Sequence, residues 1–187
     1  MSSHHFVKED QEPALLILNP DAIPFEKVQE LLEWSPFVLV SSSALEYVLR
    51  WGIKIDALIT SSESDVSHQV AKDQAPLLTL RYTEGQSELE SVFQFLVDRK
   101  QLNVNVIVSD VVGYFPMAAS YSGKINSVLF EGKFRWVLID NGHYSKWLPA
   151  ETTLQTFFNN QIGKVAVAEE GIFALEKSSS FWIGEEF

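Results

Sequence analysis

Between Ala14 and Val108 the chain alternates short, unbroken apolar runs with segments whose apolar residues recur every three or four positions. A run such as Ala14-Leu-Leu-Ile-Leu18 has no polar side, so both faces of the strand it forms must be covered. That is the condition of a central strand in a parallel sheet with helices on either side. The feature restricts the fold class to α/β, with a mostly parallel open sheet flanked by helices.

Five such runs are expected as strands: Ala14–Leu18, Phe37–Val40, Ala57–Thr60, Leu77–Leu80 and Val104–Val108. A helix is expected from Pro24, its stripe of Phe25, Val28, Leu31 and Leu32 ending at Pro36. Ser41-Ser42-Ser43 can cap a second helix that ends at Gly52. Glu88–Lys100 carries the clearest helix signal, since Ser87 and Glu90 form a Ser-x-x-Glu capping box and Leu89, Val92, Phe93 and Leu96 share one face. Met117–Phe130 fits a helix loosely, with Gly123 working against it.

Beyond about residue 130 the pattern turns to β. Phe134–Asp140, Asn141-Gly142 and His143–Leu148 predict a two-residue hairpin. Thr153–Phe158, Lys164–Val167, Ile172–Leu175 and Phe181–Ile183 predict further short strands. The expected division is an α/β domain over residues 1–140 and a small C-terminal β meander or sandwich over 141–187.

Composition removes several functions. Of 187 residues none is cysteine, which excludes disulfides, thiolate metal sites and a cysteine nucleophile. The net charge of −11, with scattered cations, argues against nucleic acid as a partner. The apolar runs are far shorter than the roughly 18 residues of a membrane span, and Met1–Gln11 lacks a signal-peptide pattern, so a cytoplasmic location without membrane association is expected.

In an open parallel sheet, ligands bind outside the carboxyl ends of the strands. This selects the loops Ser41–Ala44, Ser61–Ser67, Thr83–Ser87 and Ser109–Pro116, with Glu63, Asp65, Glu84, Glu88 and Asp110 as their carboxylates. No phosphate-wrapping Gly-x-x-x-x-Gly-Lys-Ser/Thr, dinucleotide-type Gly-x-Gly-x-x-Gly or nucleophile elbow is present, and the four histidines lack zinc-ligand spacing.

Two stretches resemble the catalytic domain of the thiamin pyrophosphokinase family. Leu49-Arg-Trp-Gly-Ile-Lys-Ile-Asp-Ala-Leu-Ile59 is similar to the family's helix end and following strand, and Ser87-Glu-Leu-Glu90 is similar to its Thr-Asp-Leu-Glu helix start. The resemblance implies transfer of a pyrophosphoryl group from ATP to thiamin, giving thiamin diphosphate and AMP, with Mg²⁺ held by strand-end carboxylates, and a homodimer. It also implies that several of these groups have been replaced. The family's Asp-Gly-Gly corresponds to Ser42-Ser43-Ala44, and its Gly-Asp-x-Asp-Ser to Thr60-Ser61-Ser62-Glu63-Ser64. Its Thr-Asp pair corresponds to Ser87-Glu88, and its Gly-Arg-x-Asp-His to Gly113-Tyr114-Phe115-Pro116-Met117. Glu63 and Glu88 are thereby the expected catalytic and metal-binding residues, and Ser42, Ser43, Ser61, Ser64 and Ser87 the expected contacts to a cofactor or ligand.

With so many carboxylates replaced, the transfer reaction is expected to be weak or lost. Two alternatives follow: a pseudoenzyme that binds a nucleotide or thiamin-like molecule, and a dimeric interaction module using Trp136, Trp147 and Trp182.

Overall fold

In the computed structural model, which describes residues 12–62, 68–83 and 85–187, the five apolar runs form a parallel layer. The strands are β1 (Ala14–Ile17), β2 (Val38–Ser41), β3 (Ala57–Thr60), β4 (Leu78–Arg81) and β5 (Asn103–Ile107), in the order β5-β1-β2-β3-β4. The reason for the unbroken apolar runs is visible in the packing. Leu16, Leu39 and Ile59 point to one face and Leu15, Ile17, Val38 and Leu58 to the other, all at most 3% exposed.

Helices α1 (Phe25–Leu32) and α2 (Leu45–Leu49) cover the second of these faces through Val28, Leu45 and Val48. A short α3 (His68–Asp73) leads into β4. Helix α4 (Glu88–Asp98) covers the first face through Leu89, Val92, Phe93 and Leu96. The change of face follows from handedness. The chain steps from β1 outward to β4 and then returns to the other side of β1, and right-handed crossovers in opposite directions lie on opposite faces.

Helix α5 (Val111–Ser120) and strand β6 (Asn126–Glu131) correct the reading of Met117–Phe130 as one loose helix, and the reading of Ser109–Pro116 as loop. Val111, Phe115 and Ala118 bury one helical face, and Pro116 is accommodated within the helix at the loss of its own N–H donor. The chain then joins β5 as a sixth parallel strand.

The predicted hairpin between Phe134–Asp140 and His143–Leu148 does not form. Strand β7 (Phe134–Ile139) has both edges occupied, by β6 on one side and by β12 (Phe181–Glu186) on the other, so β8 (His143–Leu148) pairs instead with β11 (Gly171–Glu176) in a separate two-stranded sheet. Asn141-Gly142 marks the departure from the large sheet. Gly142 has φ 70°, its carbonyl accepts from the Lys177 amide at 2.8 Å, and a Cβ there would lie 2.5 Å from the Lys177 carbonyl. The tight two-residue turn lies at Asn159-Asn160, both at positive φ, between β9 (Thr153–Phe158) and β10 (Gln161–Ala166).

Strand β12 pairs with both β7 and β9, so the ten-stranded sheet continues across residue 140. Tyr144 and Leu148 of β8 pack with Leu154, Phe181 and Ile183 to hold the small sheet against the large one. Trp136 and Trp182 are 2% and 4% exposed and pack on Phe115, the first edge-on and the second stacked, which makes them core residues rather than the interface residues considered from sequence; Trp147 is 59% exposed. No helix among the described residues is long and apolar enough to cross a membrane.

Candidate functional site

Parallel pairing places the carboxyl ends of β2, β3, β4 and β5 at one end of the sheet, and with them the described parts of the four segments chosen from sequence. Glu63 and Ser64 lie outside the described residues. The remaining predicted residues are Ser42, Ser43, Ser61, Ser87 and Glu88.

Ser87 caps α4, its hydroxyl accepting from the Glu90 amide at 3.0 Å, which fixes Glu88 as the first helical residue. The Glu88 carboxylate turns toward β2, where the Ser41 hydroxyl donates to its Oε1 at 2.6 Å. Ser41 is 1% exposed and ends β2. Its Oγ also lies 2.8 Å from Ser43 Oγ. Because an ionised carboxylate only accepts, the Ser41 proton is committed to Glu88, and Ser43 must donate to Ser41. Ser42 and Ser43 sit in a 3₁₀ turn, Ser42–Ala44, that Ser41 caps by accepting from the Ser43 amide. This serine run therefore serves the carboxylate as well as the turn.

Burial raises the Glu88 pKa above the ordinary carboxyl value, and the Ser41 hydrogen bond opposes this without cancelling it. Tyr114 stands beside it on α5; burial raises its phenol pKa, and the charges of Glu88 and then Asp110 add to the effect. Asp110 was named from sequence only as a loop carboxylate. It adopts a left-handed conformation, φ 60° and ψ 55°, directly before α5, a strained geometry for a residue with a Cβ. The first amide of that helix, Val111 N, is instead satisfied by Glu131 Oε1 at 3.1 Å.

Glu88, Ser87, Leu89, Tyr82, Gly113, Tyr114, Pro116 and Met117 line an open pocket of about 500 Å³. A second open pocket, of about 640 Å³, shares Tyr82 and is lined by Ser61, Arg81, Thr83, Gly85 and Gln86. Sequence reasoning placed Ser41 and Tyr114 within the selected segments without naming either as a site residue, and it missed Tyr82, which lies outside them. The spacing of Val111, Phe115 and Ala118 was the signal that Tyr114 belongs to a helix and not to a loop.

The family resemblance implies Mg²⁺, which demands near-octahedral oxygen ligation. The described donor set does not fit it: Glu88 is the one carboxylate lining the pocket among the described residues, its neighbours include tyrosine, leucine, proline and methionine side chains, and no three His, Asp or Glu residues gather among the described residues.

No protein-family model matches the chain, and a sequence comparison with characterised proteins gives no match. Solved structures do resemble it. The thiamine pyrophosphokinase from Bacillus subtilis superimposes with a TM-score of 0.66 at 10% identity, covering 92% of this chain and 98% of that one. The thiamin pyrophosphokinase from Candida albicans gives 0.63 at 10%, covering 94% and 90%. A probable thiamine pyrophosphokinase from Staphylococcus saprophyticus gives 0.63 at 14%, covering 93% and 98%. At these identities the likeness establishes the fold, which is the one expected from the sequence.

Proposed function

We propose that this chain binds a nucleotide or thiamin-like molecule in the strand-end cleft, and that its pyrophosphoryl transfer from ATP to thiamin is reduced by orders of magnitude or lost. The observation that carries the reading is the pocket at Glu88. It keeps an acidic group at the position matching the family's Thr-Asp pair, but surrounds it with Ser41, Tyr82, Tyr114 and Met117. Removing one preorganised electrostatic group typically costs about 10²–10³ in rate, and the replaced carboxylates and arginine amount to several. Any residual transfer would need ATP and Mg²⁺, with Glu63 and Glu88 as the remaining carboxylates for the metal.

The test is a thermal-shift series with ATP, AMP, thiamin and thiamin diphosphate, with and without Mg²⁺, beside an assay for thiamin-dependent AMP release at high protein concentration. The reading expects a ligand-dependent rise in melting temperature with little or no AMP. An unmoved melting temperature with every compound would reject ligand binding, and brisk thiamin-dependent AMP release would reject the loss of chemistry.

A second reading, self-association into a homodimer, draws support from the outer face of the β8–β11 sheet. There Trp147 and Ile172 are paired in register and 59% and 79% exposed. Sedimentation at micromolar concentration tests it, a lone monomer species counting against it.

A further inference from the structure

We propose that the Glu88 pocket receives, without a metal ion, a planar nitrogen heterocycle whose edge presents adjacent N–H donors, with the Glu88 carboxylate as acceptor and Tyr82 and Tyr114 as aromatic walls. This deepens the binding role proposed above and rests on it.

Three observations converge. The first is the chemistry of the lining. Among the described residues, Tyr82, Tyr114, Leu89, Pro116 and Met117 make five of the eight that line the pocket apolar or aromatic, and none of the eight is cationic. Glu88 and Asp110 both act electrostatically on Tyr114, so the local field is negative. A free phosphate or carboxylate would meet repulsion here, whereas a flat ring with a donor edge meets an acceptor and stacking surfaces.

The second is the state of the carboxylate. Ser41 fixes Glu88 Oε1 from the side of the sheet, and this is the one hydrogen bond the carboxylate makes among the described residues. An ionised carboxylate has about four acceptor sites. A partly buried one with acceptor capacity to spare, locked in direction by a buried serine, is preorganised for donors arriving from the pocket.

The third is the arrangement of the walls. Tyr82 follows β4 and Tyr114 lies on α5, and both rings pack against the same core cluster. They reach the pocket from separate elements, and the start of α4 that carries Glu88 lines the same pocket. The space of about 500 Å³ falls within the usual range for small-molecule sites.

The experiment is a titration of the full-length chain in EDTA with two matched probe pairs. One pair is guanosine against inosine, which lacks the 2-amino group; the other is isocytosine against 4(3H)-pyrimidinone, which lacks the same group. A bidentate donor pair should favour the amino compound by about tenfold or more. Glu88→Gln should remove at least that preference, and Tyr114→Leu should weaken both members of a pair, with melting curves confirming that each variant folds.

Equal binding of the two members of both pairs, binding abolished by EDTA, or a preference that survives Glu88→Gln would each overturn the proposal. If nucleotides still shift the melting temperature in those cases, only this assignment of the pocket falls. If the probes, the nucleotides and the thiamin compounds alike fail to bind, the ligand-binding role falls with it.

Discussion

Ser41 and Glu88, 47 residues apart in sequence, are joined by a hydrogen bond of 2.6 Å that links the end of β2 to the start of α4. The bond opposes the effect of burial on the carboxyl group, so Ser41→Ala should push the Glu88 pKa further up. It should also cost about 1.5–3 kcal/mol of stability, the range for a hydrogen bond to a charged group. Carbon-detected NMR titration of the Glu88 carboxyl in parent and variant measures the first effect and denaturant unfolding the second. An unchanged titration would show that Ser41 does not tune the carboxylate.

Glu88 itself has a raised pKa in the folded chain, because burial penalises its charge. The sign of the consequence is the reverse of the usual acidic residue. The unfolded chain ionises first as pH rises past about 4.3, the folded chain later, and stability falls across that interval and stays lower above it. Glu88→Gln should therefore be more stable than the parent at neutral pH, an advantage that disappears below the ordinary carboxyl range. Urea unfolding at neutral and at acidic pH checks this, and a less stable glutamine variant at neutral pH would contradict it.

The elements best legible in the sequence were those whose burial has a simple period. Strands β1 to β5 gave unbroken apolar runs because both faces are covered, and the α4 cap was legible because Ser87 and the backbone it bonds are three residues apart. Helix α5 was missed because its start is marked by a left-handed Asp110 rather than by a recognisable side-chain cap. The β7–β8 hairpin was overread because local turn chemistry cannot report that both edges of β7 are taken. The site divides in the same way. Ser42, Ser43, Ser61, Ser87 and Glu88 were placed at the carboxyl end of the strands by topology alone, where the structure also has them, but the Ser41–Glu88 contact and the tyrosine walls depend on α4 and α5 meeting over the strand ends.

Glu185 is the ionic tie between the two sheets. Its carboxylate, 11% exposed, accepts from Arg135 at 2.8 Å, Tyr144 at 2.7 Å and Lys146 at 2.6 Å. Burial acts to raise its pKa, but the three donors outweigh burial and hold it below the ordinary value. A lowered folded pKa stabilises above the unfolded value and loses that contribution as pH falls through the folded one, so this tie should fail only in acid below the usual glutamate range. Glu185→Leu should cost about 2–3 kcal/mol, less than the loss of a fully buried partner, since Arg135 and Lys146 remain 43% and 42% exposed. Lys146→Met should cost under about 1 kcal/mol, as an exposed ion pair does. Chemical denaturation of the two variants tests the ordering, and equal losses would contradict it.

Gly184 shows how closely the β-rich part is packed. It lies opposite Trp136 in the β12–β7 register, and a Cβ at this position would come 2.9 Å from the indole ring. The ring has little room to withdraw, being 2% exposed and in contact with Phe115 and Phe134. Gly184 does not need a positive φ, so the penalty for alanine is steric rather than conformational. Gly184→Ala should cost about 1–3 kcal/mol by overpacking. Trp136→Leu alone should also destabilise, by leaving a cavity, but the two changes together should cost less than their sum, because the smaller side chain makes room for the new methyl group. Equilibrium unfolding of the two single variants and the double variant measures that coupling. A strictly additive double variant would mean that the strand, and not the indole, absorbs the added carbon.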